Sequence, residues 1–280
     1  MTPTQGRIVP AGAGYVAPLF LVMLLAFNVP IVMMLAWSVG GGAAAPFEHY
    51  ATIVERSIYF KVLLNTFRIA LIATAACAVL GYPLAYWMRG LGHGRQLLAV
   101  ALVVLPFWVS ILVRTYAWIV VLGNDGMVNR GLQALGLTTA PVGFLYNELG
   151  VIIGTVNILL PFLVLPLLAS MLKLDDRLLQ AAASLGASRR TIFWRVFFPL
   201  TLPSLAAGAI LVFILTLGFF ITPAILGGGR VPMIANMLDL LINRLPRWEL
   251  ASAISTVLLV LTLACYAAYR WVGGRAAQAA

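Results

Sequence analysis

The sequence predicts an all-α membrane protein of six transmembrane helices, with a helix–glycine–helix element on the cytoplasmic side between helices 4 and 5. Three observations predict it. Apolar and aromatic residues make up 62% of the 280 residues and charged residues 9%, whereas soluble domains average about 45–50% apolar and about 25% charged. So little charge cannot cover so much apolar side chain in water, and part of the solvent must be lipid. The apolar residues also come in long continuous runs. Lipid offers no partner to backbone N–H and C=O groups, so only helices and closed barrels span it, and barrel strands would alternate apolar with polar residues. Finally, the scarce charge is clustered. Lys173, Asp175, Asp176, Arg177, Arg189, Arg190 and Arg195 surround the small-residue run QAAASLGAS.

A helix needs about 20 apolar residues to cross the hydrocarbon. Six segments qualify, at 15–39, 63–88, 97–122, 150–172, 200–226 and 250–272. They form one six-helix domain, 15–272, flanked by tails at 1–14 and 273–280. The first run is followed by the linker GGGAAAP. Its basic start, with Arg7, and Ala43, Ala44 and Ala45 after it would also suit a cleaved signal peptide. Signal-peptide cores run only about 7–15 residues, so an uncleaved first helix is expected. The fourth run contains Pro161 and Pro166, and Pro199 and Pro203 mark entry to the fifth.

Lys and Arg gather in cytoplasmic loops. With the N-terminus inside, ten of them fall on the inner side and six on the outer. Both termini and the charge cluster are therefore expected in the cytoplasm, and the net charge of +10 needs no nucleic acid. No basic face with interleaved aromatics of the kind that binds nucleic acid is present. Cys77 and Cys265 lie in apolar runs and read as buried packing residues. His49 and His93 have no metal-ligand spacing.

Two charges fall within spans. Arg68 and Arg114 sit toward the outer ends of the second and third runs, where they either snorkel to the interface or line a polar vestibule. The stretch LPFWVSILVRTYAW places Trp108, Tyr116 and Trp118 around Arg114, as an interfacial aromatic belt would or as a path would. On the outer side, Asn236, Asp239 and Asn243 share one stripe of 232–244, opposite Met233, Met237, Leu240 and Leu241. This reads as a short amphipathic helix with Pro232 in its first turn, lying on the membrane or lining the mouth.

The charge cluster encloses a helix too short to span. Leu178, Leu179, Ala182 and Leu185 form one helical stripe from Asp176 onward. The acids suit the helix start, Gly186 suits its end, and Ser188 can cap a second helix beginning RRTIFWRVFFP. The small side chains of Ala181, Ala182, Ala183, Gly186 and Ala187 permit close approach of another backbone.

Enzyme motifs are missing. A P-loop needs GxxxxGK[ST], but the two lysines, Lys61 and Lys173, follow Phe60 and Leu172. Neither HExxH nor GxSxG occurs. Ser170 and Lys173 match S-x-x-K, a short pattern common by chance.

At 180–199 the sequence resembles the permease subunits of binding-protein-dependent ABC transporters, the six-helix, type I importer fold. Their cytoplasmic signature is E-A-A, three residues, G-A-S, then a run ending in a hydrophobic residue and proline. Here QAA at 180–182, GAS at 186–188 and FFP at 197–199 fall at that spacing. The resemblance implies an inner-membrane subunit that is not itself an enzyme. It implies two copies of a separate ATPase that hold ATP and Mg, a second permease, similar or identical, and an extracytoplasmic solute-binding protein. Asp175, Asp176, Gln180, Ala181, Ala182, Gly186, Ala187, Ser188 and Arg189 would form the ATPase-coupling element. Gln180 departs from the usual Glu and removes a charge, for which Asp175 or Asp176 is expected to substitute in part. The stretches NTFRIA, LPFWVSILVRTYAW and TPAILGGGRVPMIANML are similar to the spermidine/putrescine branch, which implies a small polyamine-like solute. The translocation-path candidates are Asn65, Arg68, Trp108, Arg114, Trp118, Asn236 and Asp239. The alternatives are a secondary transporter driven by an ion gradient, which would place ionisable residues and broken helices at the midplane, and a non-transporting membrane scaffold.

Overall fold

The computed structural model describes residues 13–40 and 46–278, with side chains described for 18–40 and 46–267. The expected tail up to residue 12, including Arg7, and the alanines of the first linker lie outside the described residues. Fourteen elements need naming: the helices α1 (Ala13–Gly40), α2 (Glu48–Glu55), α3 (Ser57–Arg89), α4 (His93–Val104), α5 (Ile111–Leu122), α6 (Met127–Ala134), α7 (Glu148–Leu172), α8 (Asp176–Ser184), α9 (Arg189–Ile192), α10 (Phe198–Leu217), α11 (Ile221–Leu226), α12 (Ile234–Asp239) and α13 (Trp248–Gln278), and a π-helical turn, Phe193–Phe197, between α9 and α10. Six helical segments are long and apolar enough to cross a membrane, and no strand occurs among the described residues.

The core is a three-helix contact of α3, α7 and α10. On α3, Ala73, Cys77, Gly81 and Ala85 recur every fourth residue and are all buried. This small-residue stripe lets α7 approach closely, as packing between helices in lipid requires. Leu163, Val164 and Leu167 of α7 fill the groove and are fully buried. A Cβ on Gly208 of α10 would stand 3.4 Å from the Leu163 Cα, so α10 closes on the same side chain. Pro161 and Pro166 lie inside α7, as expected of a span whose neighbours can satisfy freed carbonyls. Helix α1 packs mainly along α13 and α2, where Trp37 meets Trp248 edge-on at 6.4 Å, and most of its described side chains are exposed.

The expected third span, 97–122, is not one helix. It breaks after a 3-10 turn, Leu105–Trp108, and restarts at Ile111, with Val109 and Ser110 extended. Pro106 removes a backbone donor at this point. The expected fifth span, 200–226, also differs at both ends. The helix starts at Arg189 and runs through the π turn to Leu217; Gly218, Phe219 and Phe220 then interrupt it before α11. Pro199 does not mark a boundary, because the π turn shifts the hydrogen-bond register ahead of it, with the Phe198 N–H reaching the Phe193 carbonyl. The half-helices that follow the two breaks, α5 and α11, pack against each other, with Thr115 Oγ1 and Thr222 Oγ1 3.5 Å apart.

Smaller corrections follow from packing. The second span begins at Ser57, before the expected 63, and α13 continues through 278, so the expected tail from 273 is helical up to there. Cys77 is buried but Cys265 is exposed on α13. The outer amphipathic helix starts at Ile234, with Pro232 ahead of it rather than in its first turn. Its apolar face packs in part on the protein: Met233, Ile234 and Leu241 are buried, the last two beside Tyr59, Val62 and Ile254.

Candidate functional site

The expected coupling segment is a knob at one end of the bundle. Asp175 caps α8, its carboxylate accepting the Arg177 N–H at 2.9 Å. At the other end of α8 the Ala187 N–H bonds the Ala182 carbonyl at 3.1 Å and the Gly186 N–H bonds the Ala183 carbonyl at 2.9 Å. This is the paired closure of a Schellman turn, which places its glycine in the left-handed region, and Gly186 has φ +82°. Ser188 Oγ then accepts the Thr191 N–H at 3.3 Å and starts α9, with Arg189 as its first residue. The knob's second helix is thus the continuous beginning of the fifth span.

The predicted apolar stripe divides. Leu179 packs toward the α3–α7–α10 core and Ala182 is half-buried. Leu178 and Leu185 stand 51% and 88% exposed. Gln180 and Ala181 are exposed beside them, and Ala187 is half-buried. Asp176 pairs with Arg89, the last residue of α3, and keeps 71% of its side chain exposed. The exposed Asp175 carboxylate holds the cap through Oδ1. Sequence alone missed Arg89, which it counted only as an inner positive charge.

An aromatic cluster joins the knob to the bundle. Tyr82 and Tyr86 of α3 meet Phe193 edge-on at 6.2 and 5.2 Å, Tyr86 meets Phe197 at 5.1 Å, and Tyr82 meets Phe198 at 5.4 Å. The Tyr82 hydroxyl shares a 2.8 Å hydrogen bond with that of Thr201.

The path candidates fall into separate groups. Asn65 and Arg68 line a cavity of about 410 Å³ at the end of the bundle opposite the knob, together with Lys61, Glu148, Arg230 and Pro232. Arg68 is ion-paired with Glu148, the first residue of α7. Asn65 Nδ2 donates to the Pro232 carbonyl at 2.9 Å, and the Ile234 N–H donates to Thr66 Oγ1 at 2.9 Å, so α3 holds the segment before α12 at two points.

Arg114 and Trp118 line a second cavity of about 310 Å³, next to the break in the third span, with Pro106 and Asn157. Trp118 Nε1 donates to Asn157 Oδ1 at 3.2 Å. Nε and Nη1 of Arg114 are buried and have no hydrogen-bond partner among the described residues. Asn157 was missed, although a lone amide within the apolar run of the fourth span is a legible signal. Trp108 is 88% exposed and lines neither cavity. Asn236 donates to the Phe220 carbonyl at 3.1 Å, beside the break in the fifth span, and Asp239 accepts from Asn243 at 2.7 Å. Arg114, Trp118 and Asn236 thus lie beside the two helix breaks, and Asn65 and Arg68 at one mouth.

Comparison with known proteins agrees with this architecture. The family described as binding-protein-dependent transport system inner membrane component matches residues 118–278. The spermidine/putrescine transport system permease protein PotB of Haemophilus influenzae is 40% identical over 224 residues, covering 78% of this chain and 77% of that protein. PotB of Escherichia coli (strain K12) is 38% identical over 214 residues, covering 76% and 78%. A bacterial alginate ABC transporter, crystallised in complex with its alginate pentasaccharide-bound periplasmic protein, has the same fold, with a TM-score of 0.74 over 93% of this chain and 94% of that one at 19% identity. The chain, a multi-pass inner-membrane protein, therefore belongs to the family of inner membrane components of binding-protein-dependent transport systems.

Proposed function

We propose that the chain is the permease subunit of an ATP-driven importer whose solute is delivered by an extracytoplasmic binding protein. The observation that carries this is the knob: a capped short helix and a Schellman turn at Gly186, with the next helix running unbroken from Arg189 into the membrane. A push on such a knob is carried to the fifth span, because the knob's second helix runs into that span without a loop. The exposed Leu178, Gln180, Ala181 and Leu185 face would dock on an ATPase subunit in the cytoplasm. That orientation puts both termini inside, in keeping with the excess of Lys and Arg at that end. Two ATPase copies would supply ATP and Mg, and a second permease, similar or identical, would complete the path. Closure of the ATPase pair by ATP drives the change only through the different affinity of ATP for the two states.

The solute is a small polyamine-like molecule, in keeping with the names of the PotB relatives. Arg68, Arg114, Trp118 and Asn65, with Asn236 and Asp239 near the outer mouth, are its proposed path. The cavity at the mouth carries both signs of charge, with Glu148 among Lys61, Arg68 and Arg230, so within it an amine would be met at Glu148. Reconstitution with the ATPase, second permease and binding protein, followed by spermidine and putrescine uptake, tests this. Uptake should require ATP hydrolysis. Uptake driven by an ion gradient with no ATPase subunit present would establish the secondary-transporter alternative instead.

A further inference from the structure

We propose that Arg89 is the strut that makes the knob and the membrane helices move as one body, and so is a positioning residue for coupling. It rests on the coupling role proposed for the knob, and concerns a residue outside the signature segment.

The guanidinium of Arg89 touches three elements at once. Its Nε donates to the Met171 carbonyl at 2.9 Å. Met171 lies in the last turn of α7, where carbonyls have no donor within the helix. Its Nη2 pairs with the carboxylate of Asp176, the first residue of α8. Its Cζ lies 5.0 Å from the centroid of the Phe197 ring, in the π turn that joins α9 to α10. One side chain at the end of the second span therefore binds the end of the fourth span, the start of the knob's first helix and the continuation of its second.

The connection between α7 and α8 shows why such a strut is needed. Residues Lys173, Leu174 and Asp175 form a turn and a bend without regular helix. By itself this joint lets α8 tilt when an ATPase pushes on it. With Arg89 in place, tilting must either separate the charged hydrogen bond to Asp176 or pull the guanidinium off the carbonyl and the ring that hold it. The side chain of Arg89 is 18% exposed and that of Asp176 is 71% exposed. The Asp176 contact alone would be weakened by solvent screening. The carbonyl and ring contacts lie on the buried side and fix the guanidinium's position. Arginine is required over lysine, because a planar fork can donate in two directions and stack on an aromatic face, whereas an ammonium acts as a point charge.

The test uses the assembled importer in lipid nanodiscs, with Arg89→Lys, Arg89→Ala and Asp176→Ala in this chain. Two quantities are read: the stimulation of ATP hydrolysis by solute-loaded binding protein, and hydrogen exchange across 176–188 against 57–88. Arg89→Lys should lower the stimulation ratio about fivefold, a factor within the range for losing one typical hydrogen bond. It should also speed exchange across 176–188 and leave 57–88 unchanged. Asp176→Ala should shift both readouts in the same direction by less, and it stands in should Arg89→Ala fail to assemble. Wild-type stimulation and wild-type exchange in Arg89→Lys and Asp176→Ala would overturn the strut. Faster exchange with undiminished stimulation would show a purely structural contact and would overturn the coupling role too. If the wild-type assembly itself shows no stimulation, the importer function fails, whereas the exchange readout still reports on the strut.

Discussion

Leu163 Cδ2 stands so close to Gly81 that a Cβ at Gly81 would lie 2.7 Å from it, with Val164 Cγ2 at 3.2 Å and Leu160 Cδ1 at 3.4 Å. Leu163 is fully buried and also lies against Gly208 of α10. It has nowhere to retreat, so the second, fourth and fifth spans share one packing point.

Gly81→Ala should therefore overpack the contact and cost about 1–3 kcal/mol. Thermal unfolding of the detergent-solubilised protein would show a lower midpoint. Gly131→Ala is the control, since a Cβ there meets nothing within 4 Å, and it should leave the midpoint unchanged or raise it. Equal midpoints for the two variants would mean that the small-residue stripe does not set the packing.

Replacing Gly186 tests the knob's turn. Valine at φ +82° carries a Cβ in the left-handed region, a cost of about 1–2 kcal/mol, which β-branching increases. Gly186→Val should insert into the membrane normally but lose solute-stimulated ATP hydrolysis and uptake, whereas Gly186→Asn should retain more of both. Wild-type uptake by Gly186→Val would show that the turn plays no part in coupling.

The Trp118–Asn157 hydrogen bond ties α5, the half-helix after the first break, to α7. A double-mutant cycle of Trp118→Phe and Asn157→Leu should give a coupling of about 0.6 kcal/mol, the average for such bonds between membrane helices. If the cavity beside Arg114 lies on the path, both variants should slow uptake by the assembled importer with little loss of stability. A large stability loss with normal uptake would assign the pair to packing alone.

Arg68 and Glu148 form a half-exposed ion pair, which should contribute no more than about 1 kcal/mol to stability. Glu148→Gln should thus unfold like the wild type. It should slow uptake of a cationic solute such as spermidine, because this cavity loses the carboxylate that lines it beside Lys61, Arg68 and Arg230, and the loss should shrink as salt screens the mouth. Unchanged uptake at low salt would remove this cavity from the path.

Much of this was legible in the sequence because it depends on local patterns. Residues 150–172 read as a span from length and hydropathy, and α7 occupies Glu148–Leu172. Gly186 reads as a helix end from its lack of a side chain, and it has φ +82°. The breaks at Val109–Ser110 and Gly218–Phe220 were not legible, since hydropathy continues through them, and only the packing of α5 on α11 accommodates two interrupted helices. Cys265 read like Cys77, since an apolar run does not say which helix face meets lipid and which meets protein.

The sequence by itself determined that the chain lives in lipid, how many times it can cross, and where its short charged helix starts and stops. Those outcomes follow from the apolar run length and from caps that act within a few residues. Only the tertiary structure decided what the scarce charges do. Asp176 reads as a free acid until α3, α7 and α8 are brought together, when it becomes the partner of Arg89. Arg114 reads as an outer-leaflet charge until α5 packs on α7, when its Nε and Nη1 are buried and it shares a cavity with Asn157. A charge in a membrane protein takes its role from the groups that surround it, and residues distant in sequence meet only when the helices pack.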